Sequence, residues 1–310
     1  MRSLTSIVGN DLSASSESEQ ELLVEYVRPY SFQQVLDHLK PRVTPNVEHV
    51  ENNVYSRVTV SNGTTNIFRV RDANDGRHLH VTVNSKTHDG FDSELDRLRY
   101  LFAVDEDPAP AVAHLSQDSF ISELVVERPW VRIPRCWDPF ETSIRIIIGQ
   151  QISVAAASTI SGRITARLGF QVSDVSGLNR TFPSAQVLAE ADLDGFGLTE
   201  RRKKTIQIFS RAVAAGVIDF EPSANLDAIE KQWCALPGIG PWTAHMSAIR
   251  VLGHDDAMPS SDLGILRSVN RLTKHELSPK QIASRSMIWR PFRSWVAQHL
   301  WQAPNVVKRT

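Results

Sequence analysis

One stretch of the chain decides its fold: Leu236-Pro237-Gly238-Ile239-Gly240-Pro241-Trp242-Thr243-Ala244, a glycine hairpin between two helical patterns. Gly238 and Gly240 permit a close backbone approach that side chains would block, and Pro241 suits the first position of a helix. The pattern predicts a helix start whose free backbone N–H groups face outward and hold a phosphate without reading base sequence. The alternative is a plain turn between two helices, since glycine is common at such corners.

A second polar segment follows the hairpin. Asp262 stands 22 positions after Gly240, in Met258-Pro259-Ser260-Ser261-Asp262-Leu263-Gly264-Ile265, where a loop enters another helix. The local sequence favours a helix cap, supplied by Asp262, Ser261 or Ser260. A capping carboxylate is also held in a fixed position, which suits a group that must lie beside a developing positive charge.

The sequence has a helical texture from about residue 110 onward. Asp138-Pro139-Phe140-Glu141 offers an N-cap, a proline at the first helical position and a capping-box carboxylate at Glu141. Isoleucines follow at helical spacing, and Gly149 separates this helix from a second one that runs toward Leu168-Gly169. The pattern predicts an all-α second half.

The first hundred residues have a different texture. Between Val54 and Val83, short β-branched runs alternate with the turn dipeptides Asn62-Gly63 and Asp75-Gly76, which predicts an antiparallel meander. Helical spacing over Phe32–Leu39 and Phe91–Phe102 adds a helix on each side of the meander. We predict a small α+β domain here.

Charge is spread unevenly along the chain. The formal net charge is -1, but residues 1–25 carry Arg2 against five acidic residues, a net of -4, so the remainder carries +3. A weakly basic remainder is compatible with a nucleic-acid partner. The basic run Arg201-Arg202-Lys203-Lys204 either reaches phosphates or forms a solvated helix face. We predict a disordered acidic tail over 1–25, the α+β domain over 26–108 and the all-α domain over 109–310.

The cysteine and histidine content indicates no metal or disulfide framework. The two cysteines, Cys136 and Cys234, are too few for such a framework, and the histidines show no metal-ligand spacing with them. No apolar run reaches the ~18 residues of a membrane span, and the N-terminus lacks the apolar stretch of a secretory signal. We therefore expect a cytoplasmic protein with no metal, no cofactor and no membrane association.

Three segments in this order resemble the alkylpurine (3-methyladenine) DNA glycosylase branch of the helix-hairpin-helix superfamily. In chain order they are Phe140-Glu141 with Ile148-Gly149-Gln150-Gln151-Ile152-Ser153, the hairpin at 236–244, and the Pro-x-x-Asp-Leu-Gly run at 259–264. The resemblance runs from about Tyr26 to Trp301, and the stretch 289–295 is similar to the closing helix of that branch. It implies an α+β N-terminal domain, with an antiparallel sheet and helices, followed by an all-α helix-hairpin-helix glycosylase domain.

The resemblance implies a chemistry for two residues. Asp262 falls on the catalytic aspartate of the family. Trp242 stands where lyase-competent relatives carry a lysine that attacks the sugar and forms a Schiff base. Because an indole cannot do this, the chain resembles the monofunctional members, which use water as the nucleophile and leave an abasic site.

The resemblance also assigns a base pocket. Trp242 and Trp301 match one wall of the family's pocket, and Tyr30 and Phe32 lie in the segment similar to its other lip. An alkylated purine carries positive charge, which favours contact with electron-rich ring faces.

Contacts with DNA are implied for two segments. Gly238, Gly240 and Thr243 lie in the hairpin that holds the phosphates. Gln150 and Gln151 lie where the family has a loop that enters the duplex, and Gln151 would fill the gap left by the flipped base.

The expected function is therefore excision of alkylated purines from double-stranded DNA by a monomer, without a cofactor, associated with the nucleoid in a bacterium. One alternative is a catalytically inactive helix-hairpin-helix DNA-binding protein in which Asp262 acts only as a cap. A second is a glycosylase for oxidised or mismatched bases, which Trp242 disfavours if lyase chemistry is required.

Overall fold

The computed structural model of the protein describes residues 5–7, 18–61, 63–85, 91–221 and 225–303. Its first part is an antiparallel sheet domain and its second part is helical, which confirms the predicted fold class. The strands of the sheet are β1 (Thr5–Ile7), β2 (Ser18–Glu25), β3 (Glu48–Glu51), β4 (Val54–Ser61), β5 (Thr64–Asp72) and β6 (His78–Ser85). The helices of this part are α1 (Phe32–Leu39) and α2 (Asp92–Phe102), and a 3-10 turn covers Lys40–Arg42.

The sheet has the strand order β1-β2-β6-β5-β4-β3, and every neighbouring pair is antiparallel. Strands β4, β5 and β6 form the predicted meander, and Gly76 adopts a φ of 71° in its second turn. Leu79, Val81 and Val83 alternate along β6 and are fully buried. They pack with α1 and α2 in one hydrophobic cluster, because alternate side chains of a strand point to the same face.

The prediction of a disordered tail over 1–25 is wrong for its last part. Strand β2 pairs with β6 along its whole length and buries Val24 in the core. The acidic residues Glu21 and Glu25 lie on more exposed positions of this strand. Glu25 forms an ion pair with Arg77 in the turn before β6, and Glu21 lies 3.3 Å from Nε2 of His80 on β6. A strand with a charged outer face thus has the composition of a disordered segment. The predicted tail also includes residues 1–4 and 8–17, which lie outside the described residues.

The second part contains eleven α-helices among the described residues. They are α3 (Ala109–Leu115), α4 (Ser122–Glu127), α5 (Pro139–Ile148), α6 (Val154–Leu168), α7 (Ala185–Glu190), α8 (Glu200–Ala214), α9 (Leu226–Cys234), α10 (Pro241–Arg250), α11 (Leu263–Thr273), α12 (Pro279–Arg285) and α13 (Arg293–Trp301). This part also contains a short hairpin that the sequence pattern did not predict, β7 (Gln171–Val175) with β8 (Leu178–Arg180). Within the described ranges, no helix has the length and apolar character needed to cross a bilayer.

The ends of α5 agree with the prediction in three of four respects. The Asp138 side chain accepts a hydrogen bond of 2.7 Å from the backbone N of Glu141, Pro139 is the first helical residue, and Gly149 follows the last turn. The predicted capping box is wrong, because the Glu141 carboxylate turns away from the cap and accepts bonds from Thr44 and Arg57. A buried guanidinium is a stronger partner for a carboxylate than a backbone amide.

The closing helix also differs from the prediction. Trp289 lies in a 3-10 turn over Ser286–Trp289, and α13 begins only at Arg293. Pro291 separates the two elements and disfavours a helical conformation at Arg290, whose ψ is 140°.

A buried ionic cluster joins the sheet domain to α5. Arg57 of β4 donates to Glu48 at 3.0 Å and to Glu141 of α5 at 2.5 Å. The hydroxyl of Thr44 donates to the other oxygen of Glu141 at 2.6 Å, and Arg145 donates to Glu48 at 3.1 Å. Both carboxylates are buried, and each accepts bonds from the opposite domain: Glu141 from Thr44 and Arg57, and Glu48 from Arg145. The cluster fixes α5, and with it the loop that follows, against the sheet.

Thr44→Val is expected to lower the free energy of unfolding by about 2 kcal/mol, because it removes a hydrogen bond to a buried carboxylate without changing side-chain size. Urea denaturation measures the change. Thr65→Val, at a partly exposed position of β5, serves as the control and should change stability by less than about 0.5 kcal/mol. Equal stability of Thr44→Val and the wild type would mean that the cluster does not hold the two domains together.

Candidate active site

Asp262 is the N-cap of α11. Its Oδ1 accepts hydrogen bonds from the backbone N of Gly264 at 2.9 Å and of Ile265 at 3.0 Å. Of the three residues that the local sequence allowed as the cap, Asp262 is the one that fills this role. Its position is further fixed because its own backbone N donates to the carbonyl of Pro259 at 2.8 Å.

Two tryptophans from distant segments meet at this carboxylate. Nε1 of Trp301, in the last turn of α13, donates to Oδ1 of Asp262 at 2.8 Å. Nε1 of Trp242, in the first turn of α10, donates to Oδ2 at 3.0 Å. Oδ1 therefore accepts three bonds, whereas Oδ2 accepts one among the described residues. The arrangement fixes the orientation of the carboxylate. Oδ2 is the oxygen that can still accept a further hydrogen bond.

Gly264 makes room for this arrangement. A Cβ at this position would lie 3.0 Å from Oδ1 of Asp262 and 3.0 Å from Cδ1 of Trp301. The absence of a side chain thus lets the start of α11 lie close to both the carboxylate and the indole. The neighbouring Leu263 is 63% exposed.

The glycine hairpin connects α9 to α10. Gly238 has a φ of 89°, and a Cβ there would lie 1.9 Å from Oγ1 of Thr205 on α8. Gly240 has no atom within 4 Å of its ideal Cβ position. The first backbone bond of α10 runs from Ala244 N to Gly240 O at 3.0 Å, so the amides of its first turn have no acceptor within the helix. This helix start is therefore suited to an anion.

The loop between α5 and α6 is tied to the hairpin. The Gln150 side-chain amide donates to the carbonyl of Gly238 at 3.1 Å and to Oγ1 of Thr243 at 3.0 Å. Arg202 of α8 donates to the Gln150 carbonyl. The next residue, Gln151, is exposed and has a φ of 58°, so it stands at the tip of a loop whose base is fixed.

Cationic groups lie around Asp262. Burial, followed by repulsion from Arg42 and Arg250, holds the pKa of His38 well below its usual range. Burial and the charge of Arg145 lower the pKa of Arg42 to about 10, and the negative charge of Asp262 opposes this shift. The guanidinium of Arg250 lies 4.8 Å from the centroid of the Trp301 ring. Near pH 7 the imidazole of His38 is therefore neutral, and Arg42 stays positively charged.

Comparison with known families covers most of the chain. Residues 21–138 match the AlkA N-terminal domain, and residues 144–293 match the HhH-GPD superfamily of base excision DNA repair proteins. The chain thus contains an HhH-GPD domain preceded by an AlkA N-terminal domain. The glycine hairpin between α9 and α10 and the Asp262 loop both lie within the residues that match this superfamily.

Curated relatives agree with this assignment. A Mycobacterium tuberculosis protein (strain H37Rv) named "Probable bifunctional transcriptional activator/DNA repair enzyme AlkA" is 33% identical over 274 residues, which cover 88% of this chain and 55% of that protein. The chain thus spans about half the length of this relative. DNA-3-methyladenine glycosylase 2 of Escherichia coli (strain K12) is 27% identical over 278 residues, which cover 88% of this chain and 94% of that protein.

A solved structure shares the fold. The 3-methyladenine DNA-glycosylase from Archaeoglobus fulgidus matches with a TM-score of 0.76 at 20% identity, covering 90% of this chain and 97% of that one. The HhH-GPD chain described here therefore has the two-part fold of that protein.

The structure of this HhH-GPD protein brings together Asp262, Trp242 and Trp301 but not the other two predicted pocket residues. Phe32 is buried in the core of the sheet domain and stacks on Phe102 at a centroid distance of 5.6 Å. The Tyr30 hydroxyl donates to the Phe102 carbonyl at 2.9 Å, and its ring stacks on another tyrosine of that domain. The structure thus places Phe32 in the core and the partly buried Tyr30 against Phe102, and the expected lip of the pocket at Tyr30 and Phe32 stays a prediction.

The predicted DNA contacts also differ in how they are used. The Thr243 side chain is buried and bound to Gln150, so only the backbone of Thr243 is available at the helix start. In the basic run on α8, Arg202 binds the Gln150 carbonyl and Lys203 pairs with two acidic side chains, whereas Arg201 and Lys204 are exposed. Gly238, Gly240 and Gln151 keep positions that allow the predicted roles, and these roles remain predictions.

Proposed function

We propose that this chain is a monofunctional DNA glycosylase that hydrolyses the N-glycosidic bond of alkylated purines and so starts base excision repair. The observation that carries the proposal is the Asp262 carboxylate, which two indoles and two backbone amides fix in place. One of these indoles, Trp242, lies in the first turn of α10, directly after the glycine hairpin. A helix cap alone needs one carboxylate oxygen and no tryptophan. If Asp262 acted only as a helix cap in an inactive DNA-binding protein, the hydrogen bond from Trp242 to Oδ2 would not be needed.

Asp262 acts on the sugar in this proposal. Departure of the base leaves positive charge on C1′ and the ring oxygen of the sugar, and a preorganised carboxylate lowers the energy of that state. Oδ2 is the oxygen with remaining capacity, so it faces the sugar and orients the attacking water. The other oxygen holds the group in place through Gly264, Ile265 and Trp301.

The base and the backbone of DNA are held by different parts of the chain. The exposed start of α10 binds a phosphate through backbone amides, and Gln151 enters the duplex where the base has left the stack. The faces of Trp242 and Trp301 attract a purine made cationic by alkylation. The names of the relatives from M. tuberculosis and E. coli support a DNA-repair role of this kind. Because the site is built from one chain, we propose a monomer that acts on the nucleoid.

Incubation of the purified protein with methylated duplex DNA tests the proposal. We expect release of free 3-methyladenine-like purines, identified by chromatography, and an abasic site in the strand. Unmethylated DNA of the same sequence is the control and should release no base at the same protein concentration. Binding of both DNAs without base release would favour the inactive DNA-binding alternative.

Borohydride is expected to trap no covalent complex during turnover. A Schiff base needs an amine at the sugar carbon, and the indole of Trp242 has no free lone pair for this reaction. Of the lysines in the basic run, Lys203 is paired with Asp194 and Glu200, which further reduces its availability. The product strand should stay intact until alkali cleaves the abasic site. A trapped adduct that maps to any lysine would place the chain among the lyases.

A further inference from the structure

Helix α10 contacts the Asp262 loop at a second place, one turn beyond Trp242. His245 lies there, with Nδ1 2.7 Å from the carbonyl oxygen of Met258 and Nε2 2.9 Å from Oε2 of Glu230. Met258 begins the segment that ends at Asp262, and Glu230 lies on α9. The imidazole therefore links this segment to both helices of the glycine hairpin.

Both partners of the His245 ring are hydrogen-bond acceptors. A carbonyl oxygen has no proton to donate, and neither has an ionised carboxylate, whereas a neutral imidazole has a single N–H. Hydrogen bonds to both acceptors use an N–H on each ring nitrogen, which only the doubly protonated ring has. We infer that His245, as an imidazolium bridging Glu230 and Met258, is a positioning residue for Asp262, and that its deprotonation loosens the catalytic loop.

The loop is short enough to pass this constraint to the carboxylate. The Met258 carbonyl accepts a second bond from Ser260 N at 2.8 Å, and Asp262 N donates to the Pro259 carbonyl at 2.8 Å. These bonds make 258–262 a tight turn. One helix thus holds both of its ends, through His245 at the first residue and Trp242 at the carboxylate.

The neighbouring titratable groups leave Glu230 as the counter-charge. On α9, burial and the negative charge of Glu230 raise the pKa of the Cys234 thiol, so Cys234 is neutral near pH 7. In the loop, the Asp262 carboxylate is bound by Trp242 and Trp301 at the far end. The loop group that faces His245 is the Met258 carbonyl, which does not titrate.

The protonation state of His245 can be measured without DNA, by ¹⁵N NMR of the ring in the full-length protein. We expect two protonated ring nitrogens at pH 6 and loss of one proton as the pH rises. In Glu230→Gln this loss should occur at lower pH, because a neutral amide stabilises the imidazolium less. A single neutral tautomer at pH 6 in the folded wild type would overturn the inference.

The catalytic consequence rests on the proposed function and is read from the rate of base release. We expect the wild-type single-turnover rate to fall as the pH rises through the NMR transition, and His245→Gln to lose this dependence and release base roughly tenfold more slowly at pH 6. His275→Gln, at an exposed histidine, is the matched control and should keep the wild-type profile. An unchanged profile in His245→Gln would contradict the positioning role. A wild type that releases no base at any pH would contradict the proposed function instead, and the NMR titration would still decide the state of His245.

Discussion

Asp262→Asn is expected to lower the single-turnover rate of base release about a thousandfold, the size of effect seen when one preorganised electrostatic group is removed. Duplex DNA affinity should stay within about twofold, because a neutral amide loses its interaction only with the charged transition state. Single-turnover rapid-quench measurements give the rate of base release, and fluorescence anisotropy gives the affinity for duplex DNA.

The hydrogen bonds of Asp262 explain why asparagine is an informative replacement. Its amide oxygen can still accept from Gly264, Ile265 and Trp301, so the helix cap is retained. Its NH₂ group then faces the Trp242 indole N–H, which now lies 3.0 Å from Oδ2. Two donors in contact repel, so the group loses both its charge and one partner.

Asp138→Asn is the matched control for this substitution. Asp138 also caps a helix, because its side chain accepts a bond of 2.7 Å from Glu141 N, but it lies at the start of α5 and has no tryptophan donor among the described residues. The control should keep the wild-type rate of base release. Near-normal rates in Asp262→Asn would show that Asp262 is not the catalytic group, whereas equal losses in both variants would point to a general effect of neutralising a carboxylate at a helix start.

Local sequence patterns predicted those helices and strands whose own residues favour the conformation that they adopt in the structure. Helix α1 over Phe32–Leu39 follows from its apolar spacing, and the meander follows from alternation and turn dipeptides. Strand β2 was missed because its charged residues suggested disorder, although pairing with β6 lets them stay on the outer positions of a strand. Such long-range pairing leaves no signal in the composition of the segment itself.

The parts of the site that lie in one short motif were predictable from the sequence, and the contacts between segments far apart in the chain were not. The spacing of the hairpin and Asp262 belongs to consecutive elements, and both lie as expected. Tyr30 was assigned to the pocket because its segment resembles the other lip of the family's pocket, whereas in the structure its partly buried ring packs against the core of its own domain. Arg42 was missed, since a basic residue at a helix end is equally well explained by capping, and its charge gives no indication that it interacts with Asp262 and Arg145 of the other domain.

The pairing of Gln150 with the hairpin was likewise not predictable. Glutamines in a loop between two helices are usually solvated, and only the folded chain places the Gln150 amide against Gly238 and Thr243. The two neighbouring glutamines therefore have different roles. Gln150 fixes the base of the loop, while Gln151 remains free to enter DNA in the proposed function.

Gly238→Ala is expected to weaken binding to duplex DNA about a hundredfold, with a loss of about 3 kcal/mol in the free energy of unfolding, since strained backbone and overpacking each contribute 1–3 kcal/mol. An alanine at Gly238 must adopt a φ of 89°, and its Cβ would lie 1.9 Å from Oγ1 of Thr205. The hairpin therefore has to shift away from α8. Anisotropy on duplexes of several sequences should show the same loss for each, because backbone contacts position DNA without reading it.

A second substitution separates the clash from the backbone strain. Thr205→Ala removes Oγ1 and Cγ2 and should restore part of the stability and affinity of Gly238→Ala, but not all of it, because the positive φ remains unfavourable for alanine. Gly240→Val provides the opposite case. Its Cβ has open space, so stability should change by less than about 1 kcal/mol, yet affinity should fall because the side chain occupies the place of a phosphate. If Gly240→Val bound DNA normally, or if either glycine variant lost affinity for some sequences only, the hairpin would not be a backbone site for phosphate.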